Sequence, residues 1–348
     1  MFRSNTVIVV GAGASSEYGL PLGGGLTDII AKDVNIPSDD AGSRSKPGDE
    51  FIIRALRKAA IAENGNQNID RYLPACRNIV AGMSEAQSID TFINSRDGDK
   101  YIELVGKLGI LRSILREEHK SDLSIKSGNI NNTIAFQEVQ HTWLPKFRKF
   151  VCDGVSKDKV AERFKKITLI VFNYDRCVEH YLVHSLRNYS GIEENEAIEI
   201  FNALTIIHPY GVVGPLPWQG KGNGIAYGET ELYSRLLPLV DGIRTFTEQS
   251  EDEELSNSIK KAINDAKLLI FLGFAFHDQN IELLIPEPKT DYCHIYGTAF
   301  DISDPVVQFL RRKLAKGFCE NNWEIVTLDS RCKCGKLFDE YGEVFASI

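Results

Sequence analysis

Val7-Ile8-Val9-Val10-Gly11-Ala12-Gly13-Ala14-Ser15-Ser16, followed by Gly19-Leu20-Pro21-Leu22-Gly23, is the stretch whose reading decides the fold. Four β-branched residues running into Gly-Ala-Gly predict a buried parallel strand that delivers its C-terminal end to a loop whose backbone a ligand can approach. The amides of Gly11 and Gly13, the hydroxyls of Ser15 and Ser16 and a helix N-terminus behind them make an anion-binding pocket of the dinucleotide kind. The usual fingerprint is Gly-x-Gly-x-x-Gly, and Ser16 stands at the third glycine position, which weakens a hydride-transfer reading. Asp33 lies near the distance expected of a ribose-binding acid, but Pro21 and the Gly23-Gly24-Gly25 cluster argue against one continuous helix leading to a second strand. A plain tight turn after a strand is the competing reading of the two glycines.

Further strands follow the same pattern. Residues 167–172 run into Asn173-Tyr174-Asp175, residues 204–207 into His208, and residues 268–272 into Gly273, with two more strands predicted at 292–297 and 323–328. In an open α/β sheet the ligand crevice lies outside the carboxyl ends of the strands, so these polar and glycine ends converge on the loop at Gly11. Helices are predicted at 177–188, 251–266 and 304–315, and the acidic run Glu251-Asp252-Glu253-Glu254 suits a helix N-terminus. The fold class is α/β, a Rossmann-like parallel sheet flanked by helices.

Between Val10 and Ile167 no comparable strand is predicted. Residues 37–49, rich in Pro, Ser, Asp and Gly, read as an exposed loop. Apolar residues at helical spacing then predict helices over 51–60, 72–80, 100–118 and 133–152. This stretch is too long for a simple crossover, so residues 48–165 read as a helical insertion or subdomain. It covers the cleft, presents an oligomer surface, or is a purely structural layer. Residues 331–348 read as a C-terminal tail.

Composition narrows the function classes. A chain of 348 residues, 43% hydrophobic and 25% charged, can bury a substantial core. The absence of a ~20-residue apolar run and of a signal-peptide pattern predicts a cytoplasmic protein that does not enter the membrane. A formal charge of -8 argues against direct nucleic-acid binding. The cysteines at 76, 152, 177, 293, 319, 332 and 334 are odd in number and form no Cys-x-x-Cys pair, so neither a disulfide framework nor zinc is expected. Cys332-x-Cys334 lacks the ligand spacing of a zinc clip.

Taken in order, Gly11-Ala12-Gly13-Ala14-Ser15, Asn173-Tyr174-Asp175, His208 and Gly273-Phe274-Ala275-Phe276 resemble the motifs of sirtuin-fold proteins. With Ser88-Ile89-Asp90-Thr91-Phe92-Ile93 and His277-Asp278 added, the chain resembles the sirtuin-like NAD hydrolases of prokaryotic antiphage defence. The resemblance runs from Val7 to about Asp278 and is looser through the helical section. It implies that residues 1–36 and 166–330 form a sirtuin-type NAD-binding domain, and that NAD+ is a substrate cleaved to ADP-ribose and nicotinamide. Such a cleavage passes through an oxocarbenium-like state, so the protein must orient the reactants, exclude water and stabilise charge.

The resemblance places Asn173 beside the nicotinamide ribose, His208 as base and Asp175 on the carboxamide. Gly11, Ala12, Gly13, Ser15 and Ser16 fall at the pyrophosphate, and Gly273 and Phe274 on the adenosine side. Imidazole titrates near neutrality and suits a base, and an acceptor-only carboxylate suits the NH₂ of a carboxamide. Other readings stay open. Asn173 and Asp175 can cap the helix beginning near Cys177, His208 can be a hydrogen-bonded core histidine, and Phe274 can be core. Asp90 points into the cleft or caps a helix; Asp278 can cap the next helix, and His277 has no assigned task.

Two departures shape the expected activity. The four-cysteine zinc module of sirtuin deacylases is missing, since no cysteine lies between Cys177 and Cys293. Water is therefore favoured as nucleophile, with a protein deacylase and a catalytically silent NAD or ADP-ribose sensor as the alternatives. An unregulated NAD hydrolase would drain its host, so control by assembly or by a partner is expected. The resemblance implies a homo-oligomer and a separately encoded ATPase, such as a HerA-type ATPase, or a nuclease; the chain carries no Walker loop itself.

Overall fold

The computed structural model describes residues 1–37, 48–126, 128, 133–220, 222–232, 235–285, 293–319 and 322–348. Six strands form one all-parallel sheet: β1 (Thr6–Val10), β2 (Ile167–Val171), β3 (Thr205–Ile207), β4 (Leu268–Leu272), β5 (His294–Thr298) and β6 (Val326–Asp329). Their order is β3-β2-β1-β4-β5-β6, the order of a doubly wound Rossmann-like sheet. The predicted α/β class is the observed one.

β1 is central, paired with β2 from Thr6↔Ile167 to Val10↔Val171 and with β4 from Thr6↔Leu268 to Val10↔Leu272. All five of its residues are buried, which is why its sequence is β-branched throughout and does not alternate with polar residues. The period of two still sorts its side chains. Val7 and Val9 join Ile170, Leu269 and Phe271 in one core, and Ile8 and Val10 join Leu169, Val171, Ile270 and Leu272 in the other.

The sheet divides residues 48–165 between these two cores. Helices Glu50–Asn64, Leu73–Gly82, Ile89–Asn94 and Lys100–Lys120 pack with helix Gly23–Asp33 on the first face. Helices Trp143–Cys152 and Lys157–Phe164 lie on the second face with helices Cys177–Ser190 and Glu194–Phe201. Residues 331–348 are largely the helix Cys334–Ser347, whose Leu337, Phe338 and Phe345 are buried in that second core.

Several predicted bounds shift. The helix expected over 133–152 begins only at Trp143, where the Glu17 carboxylate accepts a 2.8 Å hydrogen bond from the Trp143 amide. That cap comes from a residue 126 positions away, so local periodicity carries no sign of it. The helix expected over 251–266 is two, Phe246–Glu251 and Glu253–Asp265, parted at Asp252, whose side chain accepts from the Leu255 amide. The start of the strand predicted at 323–328 is a 3₁₀ turn, Trp323–Ile325. Residues 38–47 of the predicted 37–49 loop and residue 292 of a predicted strand lie outside the described residues. Among the described residues no helix is long and apolar enough to cross a membrane.

The exits of β1 and β4 meet as bare backbone. A Cβ on Gly13 would lie 2.7 Å from the Gly273 Cα, and one on Gly273 would lie 2.1 Å from the Ala14 nitrogen. Gly273 also takes φ 57, in the left-handed region. Gly13→Ala is therefore expected to destabilise the fold by about 2 kcal/mol, the scale of overpacking a rigid site, measured as a lowered midpoint in urea unfolding.

Candidate functional site

The site is built where β1 and β2 end. Contrary to the expectation from sequence, the amides of Gly11 and Gly13 do not face an open anion pocket. They donate to the carbonyls of Leu272 and Gly273, each at 2.9 Å, because the β1 and β4 exits close to backbone contact. The Ser16 hydroxyl is also taken up locally, donating to the Gly13 carbonyl at 2.8 Å. Ala12 and Ser15 are the residues of this loop that line a cavity, one of about 110 Å³.

The β2 exit supplies the opposite wall with Phe172, Asn173, Tyr174 and Asp175. The Asn173 amide nitrogen donates to the Gly11 carbonyl at 3.0 Å and to the Ser15 hydroxyl oxygen at 2.8 Å. A backbone carbonyl only accepts, so the orientation of the Asn173 amide is set and its own oxygen is left to offer. The Ser15 hydroxyl also stands close enough to the Asp175 carboxylate to favour its charged form. Asp175 also accepts from the Cys177 amide at 3.1 Å, tying the turn that leads into helix Cys177–Ser190, whose N-cap is Arg176, while lining the cavity. Burial pushes its pKa above the ordinary carboxylate value.

Asp90 reaches the same cavity from the helical layer. The helix it sits on is capped by a reciprocal box between Ser88 and Thr91, with the Thr91 amide donating to Ser88 Oγ at 3.1 Å. Asp90 is therefore free of capping and accepts a hydrogen bond from the Tyr174 hydroxyl. Desolvation raises its pKa and, more strongly, that of Tyr174, where the adjacent Asp90 charge adds to the effect.

His208 follows β3 and is not among the residues lining this cavity. Its Nε2 lies 2.7 Å from Glu179 Oε1 on helix Cys177–Ser190, while His208 Nδ1 and Glu179 Oε2 are buried without a hydrogen-bond partner. Burial alone would lower the pKa of the imidazole, but the Glu179 charge and hydrogen bond outweigh it and hold the value above the ordinary one.

Gly273 meets the site through its backbone, as described, and its amide donates to Thr298 Oγ1 at 2.8 Å. Phe274 is buried and packs edge-on against Phe172 with ring centroids 5.1 Å apart, so it is part of the first core. His277 Nδ1 lies 3.0 Å from the Gln87 amide, and Asp278 pairs with Lys313.

Sequence reasoning misses the element that holds the site together. Arg176 and Glu118 form an ion pair with side-chain exposures of 1% and 0%. Arg176 also donates to the carbonyls of Ile225 at 2.8 Å and Ala226 at 3.1 Å, and Glu118 accepts from the Gly228 amide at 3.0 Å. Helix Lys100–Lys120, the β2 exit and the long segment after β3 thus meet at one point. Tyr227 of that segment stacks on His180 at 4.1 Å and its hydroxyl lies 3.2 Å from Cys177 Sγ. Glu118 lies 58 positions from Arg176, so no local pattern points to the pair.

Among the described residues no group of three or more His, Cys, Asp or Glu is placed to hold a metal ion. Comparison of the chain with protein-family models and with curated proteins gives no match.

Breaking the Arg176–Glu118 pair leaves one buried charge uncompensated, so Glu118→Ala is expected to cost about 3–5 kcal/mol in chemical unfolding. The Glu179–His208 pair has a pH signature. Because the folded-state pKa of His208 lies above its unfolded value, its stabilisation is full below about pH 6.5 and is lost as pH rises through the folded value. Urea titrations from pH 5.5 to 9 will show this fall in wild type and its loss in His208→Ala.

Proposed function

We propose that the chain is an NAD+ hydrolase of the sirtuin-like kind, cleaving the nicotinamide–ribose bond at the carboxyl edge of β1 and β2. The observation that carries this reading is the convergence of Ser15, Asn173, Asp175 and Asp90 on one cavity, with Asn173 pinned to the loop after β1. A parallel sheet of this strand order binds its ligands outside the carboxyl ends of its strands.

In the proposed reaction the bond between ribose C1′ and the pyridinium nitrogen breaks, and its electron pair neutralises the departing ring. Nicotinamide leaves uncharged. The oxygen of a water molecule bonds to C1′, and its proton passes to His208, a step that requires the site to open toward the end of β3 when NAD+ is bound, since His208 does not line the cavity as it stands. The Asn173 carbonyl oxygen accepts a hydrogen bond from that water or from a ribose hydroxyl, orienting the attack. Asp175 accepts from the carboxamide NH₂ and its charge faces the cation before departure. Glu179 stabilises the imidazolium that forms, the role a carboxylate plays beside a catalytic histidine.

The cavity of about 110 Å³ is the size of a single small ring, whereas ligand pockets usually measure about 300–1,000 Å³. The rest of a dinucleotide would lie outside it along the strand ends; control by homo-oligomer assembly or by a partner such as a separately encoded ATPase or nuclease is part of the proposal.

The test is NAD+ consumption by the wild type and by Asn173→Ala and His208→Ala, with and without assembly-promoting concentrations of protein. Nicotinamide and ADP-ribose are expected in equal amounts without any acylated peptide, and each variant is expected to lose about 100-fold or more in rate. Equal activity in all three proteins defeats the assignment. The raised His208 pKa places the acidic limb of the pH–rate profile above the ordinary histidine value, and Glu179→Gln is expected to move that limb to lower pH.

A further inference from the structure

A second pocket, of about 390 Å³, lies away from the strand ends, between helices Trp143–Cys152 and Cys177–Ser190 and beside helix Cys334–Ser347. It shares no lining residue with the cavity that contains Asn173, and its volume falls in the range usual for small-molecule sites, about 300–1,000 Å³. The proposed hydrolysis gives it no task.

Its charges do not cancel. Lys146, Arg148 and Lys149 line it with Asp153 and Asp339, an excess of one positive charge in a chain whose formal charge is -8. Lys146 pairs with Asp339, and Arg148 Nη1 donates to Asp153 Oδ1 at 2.8 Å. Lys149 is exposed and makes no ion pair among the described residues. Arg148 Nε is buried without a hydrogen-bond partner, whereas buried donors are as a rule taken up. The side-chain amides of Gln140 and Asn188 add further N–H donors at the exposed rim. An arginine fork beside two lysines suits the oxygens of a phosphate, which bring acceptors and charge together.

The walls suit a ring. Tyr181, Ser185 and Asn188 recur at the four- and three-residue spacing of one helix face, and all three line the pocket. Phe136 and Tyr181 pack edge-to-face with ring centroids 5.7 Å apart. The Tyr189 ring, 52% exposed, lies over the Arg148 guanidinium at 4.3 Å, so a cation fixes the place of an open aromatic surface. Burial raises the pKa of Tyr181, so its hydroxyl, with Ser185 and Arg148 beside it, stays a neutral donor.

We propose that this pocket is a second ligand site, taking a phosphate monoester carried on a flat aromatic ring, with Arg148 and Lys149 on the phosphate and Tyr181 and Tyr189 against the ring. Such a site is independent of whether the strand-end cavity cleaves NAD+.

The experiment is fluorescence titration of the full chain with methylumbelliferyl phosphate, a flat ring bearing one phosphate monoester, beside methylumbelliferone and inorganic phosphate as its two halves. Wild type is expected to bind the phosphorylated ring about tenfold or more tightly than either half. Lys149→Ala is expected to weaken that binding about tenfold, by loss of a charge-assisted contact. Tyr189→Ala is expected to weaken it about threefold or more, the scale of a lost aromatic pair. Both side chains are exposed, so neither substitution disturbs the core. Asn173→Ala is expected to leave the affinity unchanged, because Asn173 belongs to the other cavity. Displacement of the probe by adenosine monophosphate identifies a nucleotide as the fitting source, and displacement by phenyl phosphate alone a simpler aryl ester. Absence of probe binding, equal affinity for either half, undiminished affinity in either exposed variant, loss of binding in Asn173→Ala, or displacement by neither competitor overturns the proposal.

Discussion

The rest of the molecule is arranged around one backbone contact, where the exits of β1 and β4 touch through Gly13 and Gly273. The Gly13 amide and Gly273 carbonyl are hydrogen-bonded at 2.9 Å, and no side chain fits between them. In a doubly wound sheet this is the topological switch point, where helices leave to opposite faces and a crevice opens. Here the crevice is closed by backbone on the β4 side. The working space is displaced toward β2, where Asn173 bridges to Gly11 and Ser15. A glycine pattern that predicts a phosphate cradle therefore serves first as a packing device.

The displaced site depends on charges that water does not solvate. Arg176 and Glu118 are both buried, and each is further hydrogen-bonded to backbone groups, which compensates the desolvation that makes such pairs costly. Arg176 follows Asp175 directly in the chain, so the geometry of the cavity wall is tied through the pair to the helical layer and to the segment after β3. Glu179 and His208 repeat the principle on the next helix turn, at lower burial and with a titratable partner. Asp90 and Tyr174 form a third such contact, between the helical layer and the β2 exit. Of these three contacts between distant segments, Asp90–Tyr174 lies in the cavity wall itself.

Much of this architecture is legible from residue patterns. The apolar runs around Val7, Leu169 and Ile270 are strands because they are buried on both faces, and a buried parallel strand tolerates no polar alternation. The loops that follow them, with Ser15, Asn173 and Asp175, do share a cavity. His208 and Phe274 do not line it. Their neighbours decide this: Glu179 holds the imidazole, and Phe172, Phe271 and Phe276 take Phe274 into an aromatic core. The long helix expected over 133–152 fails for a similar reason, since its first turn is fixed by the distant Glu17.

By itself the amino-acid sequence determined what periodicity and local chemistry can carry: the strands and most of the helices, the α/β class, and the loops from which a site could be made. Only the tertiary structure decided which groups in those loops remain open to a ligand. Hydrogen-bonding capacity is shared out among residues far apart in the chain, as the Gly13 amide is to Gly273, the Asn173 amide to Gly11 and the Arg176 guanidinium to Glu118. A local pattern records that a donor exists. Folding decides where the donor is directed, because each buried polar group must find its partner wherever the packed chain brings one.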